Sequence, residues 1–221
     1  MNITPHTKIF IKNIMLGAGR IHLSLTNPDH VVLAVERAYI TMQPRTFKKL
    51  IPSAKINVVA KNAVLTDLAD RFVDFFKSTP PPTQAMFDNW HSSICNWFID
   101  SFNSRVLLPS GYKDIMYGKA QKIINVAFKF LYLFCNITTG SPSHFSFCHF
   151  IIDRYTLRWY NDIVCKNLRK KTFKKPWRDM DYNEYIEIQN NIRIYLASQN
   201  KYAKETFLAE FEIWSEYAFE Q

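Results

Sequence analysis

The chain has 221 residues, 48% hydrophobic and 15% aromatic, which is enough apolar material for a real core in one domain or two small ones. Five glycines against eighteen phenylalanines, eleven tyrosines and five tryptophans exclude turn-rich β-sandwiches and glycine-lined phosphate cradles. A formal charge of +9 at pH 7 sets up a field that attracts phosphate or acidic surfaces, and the composition predicts an all-α helical bundle, in two helical layers or as one continuous domain.

In chain order, residues 1–28 mix apolar and polar side chains around Gly17 and Gly19 and predict an irregular or short β N-terminal arm. Asp29 is the expected cap of a helix over 29–42, stopped by Pro44. A second helix is expected over 56–77, where Leu65, Leu68, Ala69, Phe72, Val73 and Phe76 recur at three- and four-residue steps. Pro80-Pro81-Pro82 ends it and is the expected joint between an N-terminal layer, 1–79, and a second domain, 83–221. A helix over 84–103 is followed by a turn at Pro109 and Gly111. The clearest period lies in 112–136, where Met116, Ala120, Ile123, Ile124, Ala127, Phe130, Leu131 and Phe134 share a stripe, with Lys122, Asn125 and Lys129 nearly opposite. Residues 138–148 read as a loop, then helices are expected over 153–167, 183–199 and 204–219.

The four cysteines have no C-x-x-C spacing and sit in apolar company, as reduced thiols of a cytoplasmic core do. The apolar run 9–16 is too short for a signal segment, and 123–135, interrupted by Lys129, falls short of the ~20 residues that span a bilayer. The expectation is a cytoplasmic protein with no membrane association.

The densest chemical signal is basic. Arg154, Arg158, Lys166, Arg169, Lys170, Lys171, Lys174, Lys175 and Arg178 face a single acid, Asp162, in the same stretch. Such a run neutralises phosphates and releases their counterions, with Tyr155, Trp159, Tyr160 and Trp177 available to stack on bases. Its bland alternative is a solvated connector with its aromatics turned inward. Asp153 precedes a helix and is read first as a cap. A carboxylate held at that positive end also stays ionised and can stabilise a developing cation. Lys122 and Lys129 are read as exposed lysines, or, if buried, as an amine nucleophile or phosphate anchor. Gln121 and Asn125 offer paired donors and acceptors to a base edge, or are ordinary surface amides. His144, Cys148 and His149 form the one His/Cys cluster, without the further ligands that zinc requires, so no metal and no cofactor is implied. His149 is read as structural, or as a phosphate contact or proton-transfer group. The sequence contains no G-x-x-x-x-G-K-[ST], G-x-S-x-G, H-E-x-x-H or H-x-E with P-C-x-x-C, which removes nucleotide hydrolysis, esterase, zincin and deaminase readings.

A lysine-bearing helix, a loop, then the segment Ile151-Ile152-Asp153-Arg154-Tyr155-Thr156-Leu157 resembles the helix-hairpin-helix base-excision DNA glycosylases over about residues 108–160. The sequence departs from that pattern at Leu108-Pro109-Ser110-Gly111-Tyr112, a reduced form of the hairpin, and in the longer interval between Lys122 and Asp153. The resemblance implies cleavage of the N-glycosidic bond of a damaged or modified base in DNA, for repair or for defence against modified phage genomes. Asp153 would stabilise the sugar cation or activate water, with Lys122 as nucleophile. Gln121, Asn125, His149, Tyr155 and Trp159 would line the base pocket, and Lys129 and the basic run would grip the backbone. Gly118 to Lys129, with Trp177, Tyr185, Gln189, Arg193 and Glu210-Phe211-x-x-Trp214, also looks like a group of uncharacterised bacterial proteins, which implies no activity. The remaining readings are a non-catalytic helical regulator that binds nucleic acid or an acidic protein, and a nuclease using His149.

Overall fold

A computed structural model describes residues 23–42, 57–107, 115–134 and 142–219. The N-terminal arm up to residue 22, the stop at Pro44, Cys135, the reduced hairpin at 108–112 and the loop residues 138–141 lie outside the described residues. Every extended regular element among those described is helical, so the protein is all-α. The elements are α1 (Pro28–Met42), α2 (Val58–Lys77), α3 (Gln84–Ser101), α4 (Tyr117–Phe134), α5 (Pro142–Phe145), α6 (Arg154–Trp159), α7 (Cys165–Leu168), α8 (Tyr182–Ser198) and α9 (Thr206–Phe219). A π-turn, Phe102–Val106, continues α3, a second, Tyr160–Val164, joins α6 to α7, and a 3-10 turn spans Trp177–Asp179.

The chain forms two compact units, one of residues 1–80, 101–113 and 126–142, the other of 81–100, 114–125 and 143–221. One division between the units lies between Pro80 and Pro81. The division is not a single break there, because 101–113 and 126–142 return to the first unit.

In the first unit α1 begins one residue earlier than expected, and its cap lies two residues earlier. Asn27, not Asp29, is its cap: the Asn27 Oδ1 accepts from the Asp29 amide at 2.9 Å, and the Asn27 carbonyl accepts from His30 and Val31, each at 3.1 Å. Pro28 explains the shift, since a residue with no N–H and a fixed φ suits the first helical position. α2 is capped by Asn57, whose side chain accepts from the Ala60 amide at 3.1 Å, and it ends at Ser78 before the prolines. Its buried face carries Phe72, Phe75 and Phe76, which meet the Phe128 ring at 4.7, 5.7 and 5.9 Å, all edge-on, the arrangement aromatic quadrupoles favour. Met116, expected on the α4 stripe, instead precedes the helix and is 42% exposed.

The second unit holds the predicted chemistry. Its inner wall is the face of α3 bearing Phe87, His91, Ile94, Cys95 and Phe98. Trp159 of α6 is fully buried, stacked on Phe150 at 5.2 Å and edge-on to Tyr195 of α8 at 5.8 Å. α9 lies against α6, with Trp214 edge-on to Tyr155 at 6.0 Å and Tyr217 beneath Arg158 at 5.0 Å. The stretch 148–153 is not helical, yet it is buried. Its peptide groups find side-chain partners instead: Gln189 accepts from the Phe150 amide at 3.1 Å and donates to the Phe150 carbonyl at 2.7 Å. Gln121 does the same for Ile152, at 3.4 and 2.8 Å. Each glutamine thus stands in for a missing neighbouring strand, as buried backbone groups require.

Gly118 opens α4 beneath the 3-10 turn. Its amide donates to the Met180 carbonyl at 3.0 Å, and a Cβ there would lie 2.0 Å from the Trp177 carbonyl oxygen. Because the obstacle is backbone, no rotamer change relieves the clash. Gly118→Ala is expected to lower the unfolding free energy by about 2 kcal/mol, read by denaturant titration, and an unchanged midpoint would refute the close approach.

Candidate nucleic-acid interface

Residues 154–178 contain nine basic residues and one acid, so this stretch carries +8 of the formal +9. The fold gathers part of it around a cleft of about 430 Å³ lined by Arg154, Leu157, Arg158, Asn161, Asp162, Pro176, Trp177 and Arg178. Two of the arginines are braced by rings. The Arg154 guanidinium sits 4.7 Å from the centre of the Tyr155 ring and donates to its hydroxyl at 2.8 Å, and Arg158 lies over Tyr217. Stacking of this kind holds a planar guanidinium in place while leaving N–H groups for an anion.

The segment that closes the cleft is tied back by Asn161. Its side chain accepts from the Phe173 amide at 2.8 Å and donates to the Phe173 carbonyl at 3.0 Å. Arg169 ends α7 in the left-handed region, at φ 53°, and the Lys170 amide closes on the Cys165 carbonyl at 2.8 Å. Around that turn Lys166, Arg169, Lys170, Lys171 and Lys174 are all exposed. Lys175 is exposed too and pairs with Glu184, while Arg178 Nε lies 4.0 Å from Asp179.

Asp153 and Lys122 meet at the edge of this region. Lys122 Nζ donates to Asp153 Oδ2 at 3.1 Å, and the Trp214 indole N–H reaches the same oxygen at 3.3 Å. Asp153 Oδ1 accepts from the Tyr155 and Thr156 amides at 2.9 and 3.2 Å, and the Thr156 hydroxyl accepts from the Asp153 amide, completing a capping box. Burial alone would raise the Asp153 carboxyl, but the Lys122 ammonium and the two amides hold it below the usual carboxylate range. On its other side Lys122 Nζ stands 4.9 Å from the centre of the Trp177 ring, a wall of the cleft.

The other expected pocket residues lie in the core. Gln121, Asn125, His149 and Trp159 are buried, and Tyr155 is half-buried. Gln121 serves the backbone of Ile152 and Gly118, the latter at 2.9 Å. Asn125 and His149 belong to a continuous hydrogen-bonded chain. Arg193 holds Asp88 through two bonds at 2.9 and 2.8 Å, and His149 Nε2 meets Asp88 at 2.7 Å. His149 Nδ1 meets the Tyr185 hydroxyl at 2.9 Å, Tyr185 meets Asn125 Nδ2 at 3.0 Å, and Asn125 Oδ1 meets His91 Nε2 at 2.9 Å. His91 Nδ1 reaches the Tyr117 hydroxyl at 3.3 Å. Counting donors assigns one proton arrangement: His149 donates to the carboxylate and accepts from Tyr185, while His91 donates to Asn125 and accepts from Tyr117. Both imidazoles are then neutral, in keeping with burial, which pushes His149 down to about 4 and His91 well below its ordinary value.

Sequence reasoning passed over Asp88 and His91. The available signal was a histidine on the apolar stripe of α3, four residues after Phe87 and four before Cys95. Lys129 belongs to the first unit, four residues beyond Asn125 on α4. Among the described residues no group of three or more His, Cys, Asp or Glu is placed to hold a metal, and no helix is long and apolar enough to cross a membrane. No family model, curated protein or solved structure matches the chain.

Proposed function

We propose that the protein binds nucleic acid, DNA in the first instance, through the basic stretch 154–178. One observation carries this reading: three arginines and a tryptophan border a single cleft within a segment that holds nearly all of the net charge. Guanidinium groups fixed on rings suit phosphate oxygens, and the outward lysines of 166–174 extend the positive track along a backbone. The Asp153 carboxylate supports a binding role over a catalytic one. Its two oxygens already accept from two amides, an ammonium and an indole, which makes it the counter-ion and cap that positions Lys122 and Arg154.

The test is affinity for labelled DNA as a function of salt, measured by fluorescence anisotropy. Each phosphate contact contributes about 0.7 to 0.9 to the slope of log affinity against log salt. Neutralising Lys170, Lys171 and Lys174 together is expected to flatten that slope by about 2 while leaving the fold intact. Binding that ignores salt would overturn the reading.

A second reading, N-glycosidic bond cleavage, is favoured by the approach of Lys122 to Asp153 beside the cleft wall. It requires alkali-labile abasic sites in DNA incubated with the protein, lost on Asp153→Asn; intact bases after tight binding leave the binding role alone.

A further inference from the structure

We infer that the cleft receives one unpaired nucleotide, its phosphate among Arg154, Arg158 and Arg178 and its base against Trp177, so that the protein selects single strands over duplex. The inference rests on the nucleic-acid reading and adds the form of its ligand. A volume of about 430 Å³ is of the size that takes a small, discrete group, whereas a duplex needs only a broad charged face. The walls divide by chemistry. Three guanidinium groups against the one carboxylate of Asp162 leave a net positive charge for a phosphate, and Trp177 with Leu157 and Pro176 provides an apolar side for a base.

The tryptophan's backbone is anchored, which lowers the ordering cost of stacking. The Trp177 carbonyl rests on Gly118 so closely that no side chain fits between them, and the adjoining Met180 carbonyl accepts from the Gly118 amide. The Lys122 ammonium, itself anchored on Asp153, fixes the indole from one side at 4.9 Å. A base in a duplex is already stacked on its neighbours and cannot enter without leaving them. An unpaired base meets no such barrier.

The decisive comparison uses the unaltered full chain and three labelled ligands of about 12 nucleotides: a single strand, the same strand in duplex, and a strand of identical phosphates with abasic sugars throughout. Stacking of a base is worth about 1 to 3 kcal/mol, so the abasic strand is expected to bind about 5- to 150-fold more weakly than the normal strand, with the duplex also weaker. Trp177→Leu should reduce single-strand affinity toward that of the abasic ligand, and Trp177→Phe should retain most of it. Equal, salt-dependent binding of all three ligands overturns this inference while leaving the nucleic-acid reading in place. Absence of binding to any of them overturns both.

Discussion

Asp88→Ala is expected to lower the unfolding free energy by about 2 to 3 kcal/mol, less than the loss from a fully buried ion pair because this one is part-buried. The Asp88 side chain is 16% exposed and that of Arg193 19%, so water compensates both groups only in part. The carboxylate also receives His149 Nε2 and the Gln84 side-chain amide, the latter at 2.8 Å, so its loss removes an acceptor from three residues at once, while Gln84 keeps the Phe147 carbonyl and Arg193 the Asn190 side chain. Burial would raise the Asp88 carboxyl, but His149, Arg193 and Gln84 hold it far below its ordinary range. Chemical denaturation of the single variants, and of Asp88→Leu with Arg193→Met, separates the two contributions: the double variant should recover part of the loss because no charge is left unpaired. A cost under about 1 kcal/mol for Asp88→Ala would place the pair among ordinary surface ion pairs and refute its structural role.

Stability is also expected to fall on mild acidification, before the carboxylates are protonated. The His149 imidazole titrates near 6.5 when unfolded and near about 4 in the fold, with burial as the main cause and Arg193 acting in the same direction against the opposing Asp88 contact. In that interval the unfolded chain binds the extra proton, so unfolding becomes easier as pH falls from about 6.5 to about 4. A separation of this size corresponds to about 3 kcal/mol from His149 alone, with His91 contributing in the same sense. The depressed carboxyls of Asp88 and Asp153 act in a lower range. Their contribution is fully present above about 3.8 and is lost as pH drops through their folded values. Denaturation midpoints followed from neutral pH to about 4 check this, and a flat profile across that range would mean that the histidines are not buried as neutral groups.

Helix positions were legible because apolar spacing reports directly on which face is covered. The stripes of α2 and α4, the break at the prolines and the Asp153 cap all follow from neighbours a few residues apart. Polar burial did not follow. Gln121, Asn125 and His149 have the composition of a surface or a pocket, and what seals them in the core are partners 31 to 61 positions away: Ile152, Tyr185 and Asp88. Periodicity carries no information about such pairings. Lys122 on a helix and Asp153 at a helix start are both recognisable in the sequence, but the indoles of Trp177 and Trp214 that lie against them come from separate elements. The exchange of Asn27 for Asp29 as the α1 cap is smaller in kind: the side chains on either side of Pro28 were both competent, and Pro28 decided between them.

The two glutamine clamps on the stretch 148–153 bear on how this chain behaves beside copies of itself. An extended segment outside any helix carries amide and carbonyl groups that, when exposed and unpaired, are the template by which one molecule recruits another into intermolecular β-pairing. Here the groups of Phe150 and Ile152 are occupied by Gln189 and Gln121, and the carbonyl of Cys148 by the Thr206 hydroxyl at 2.8 Å. The peptide groups of Phe150 and Ile152 in this apolar, non-helical run are therefore held by side chains that imitate a strand without supplying an edge.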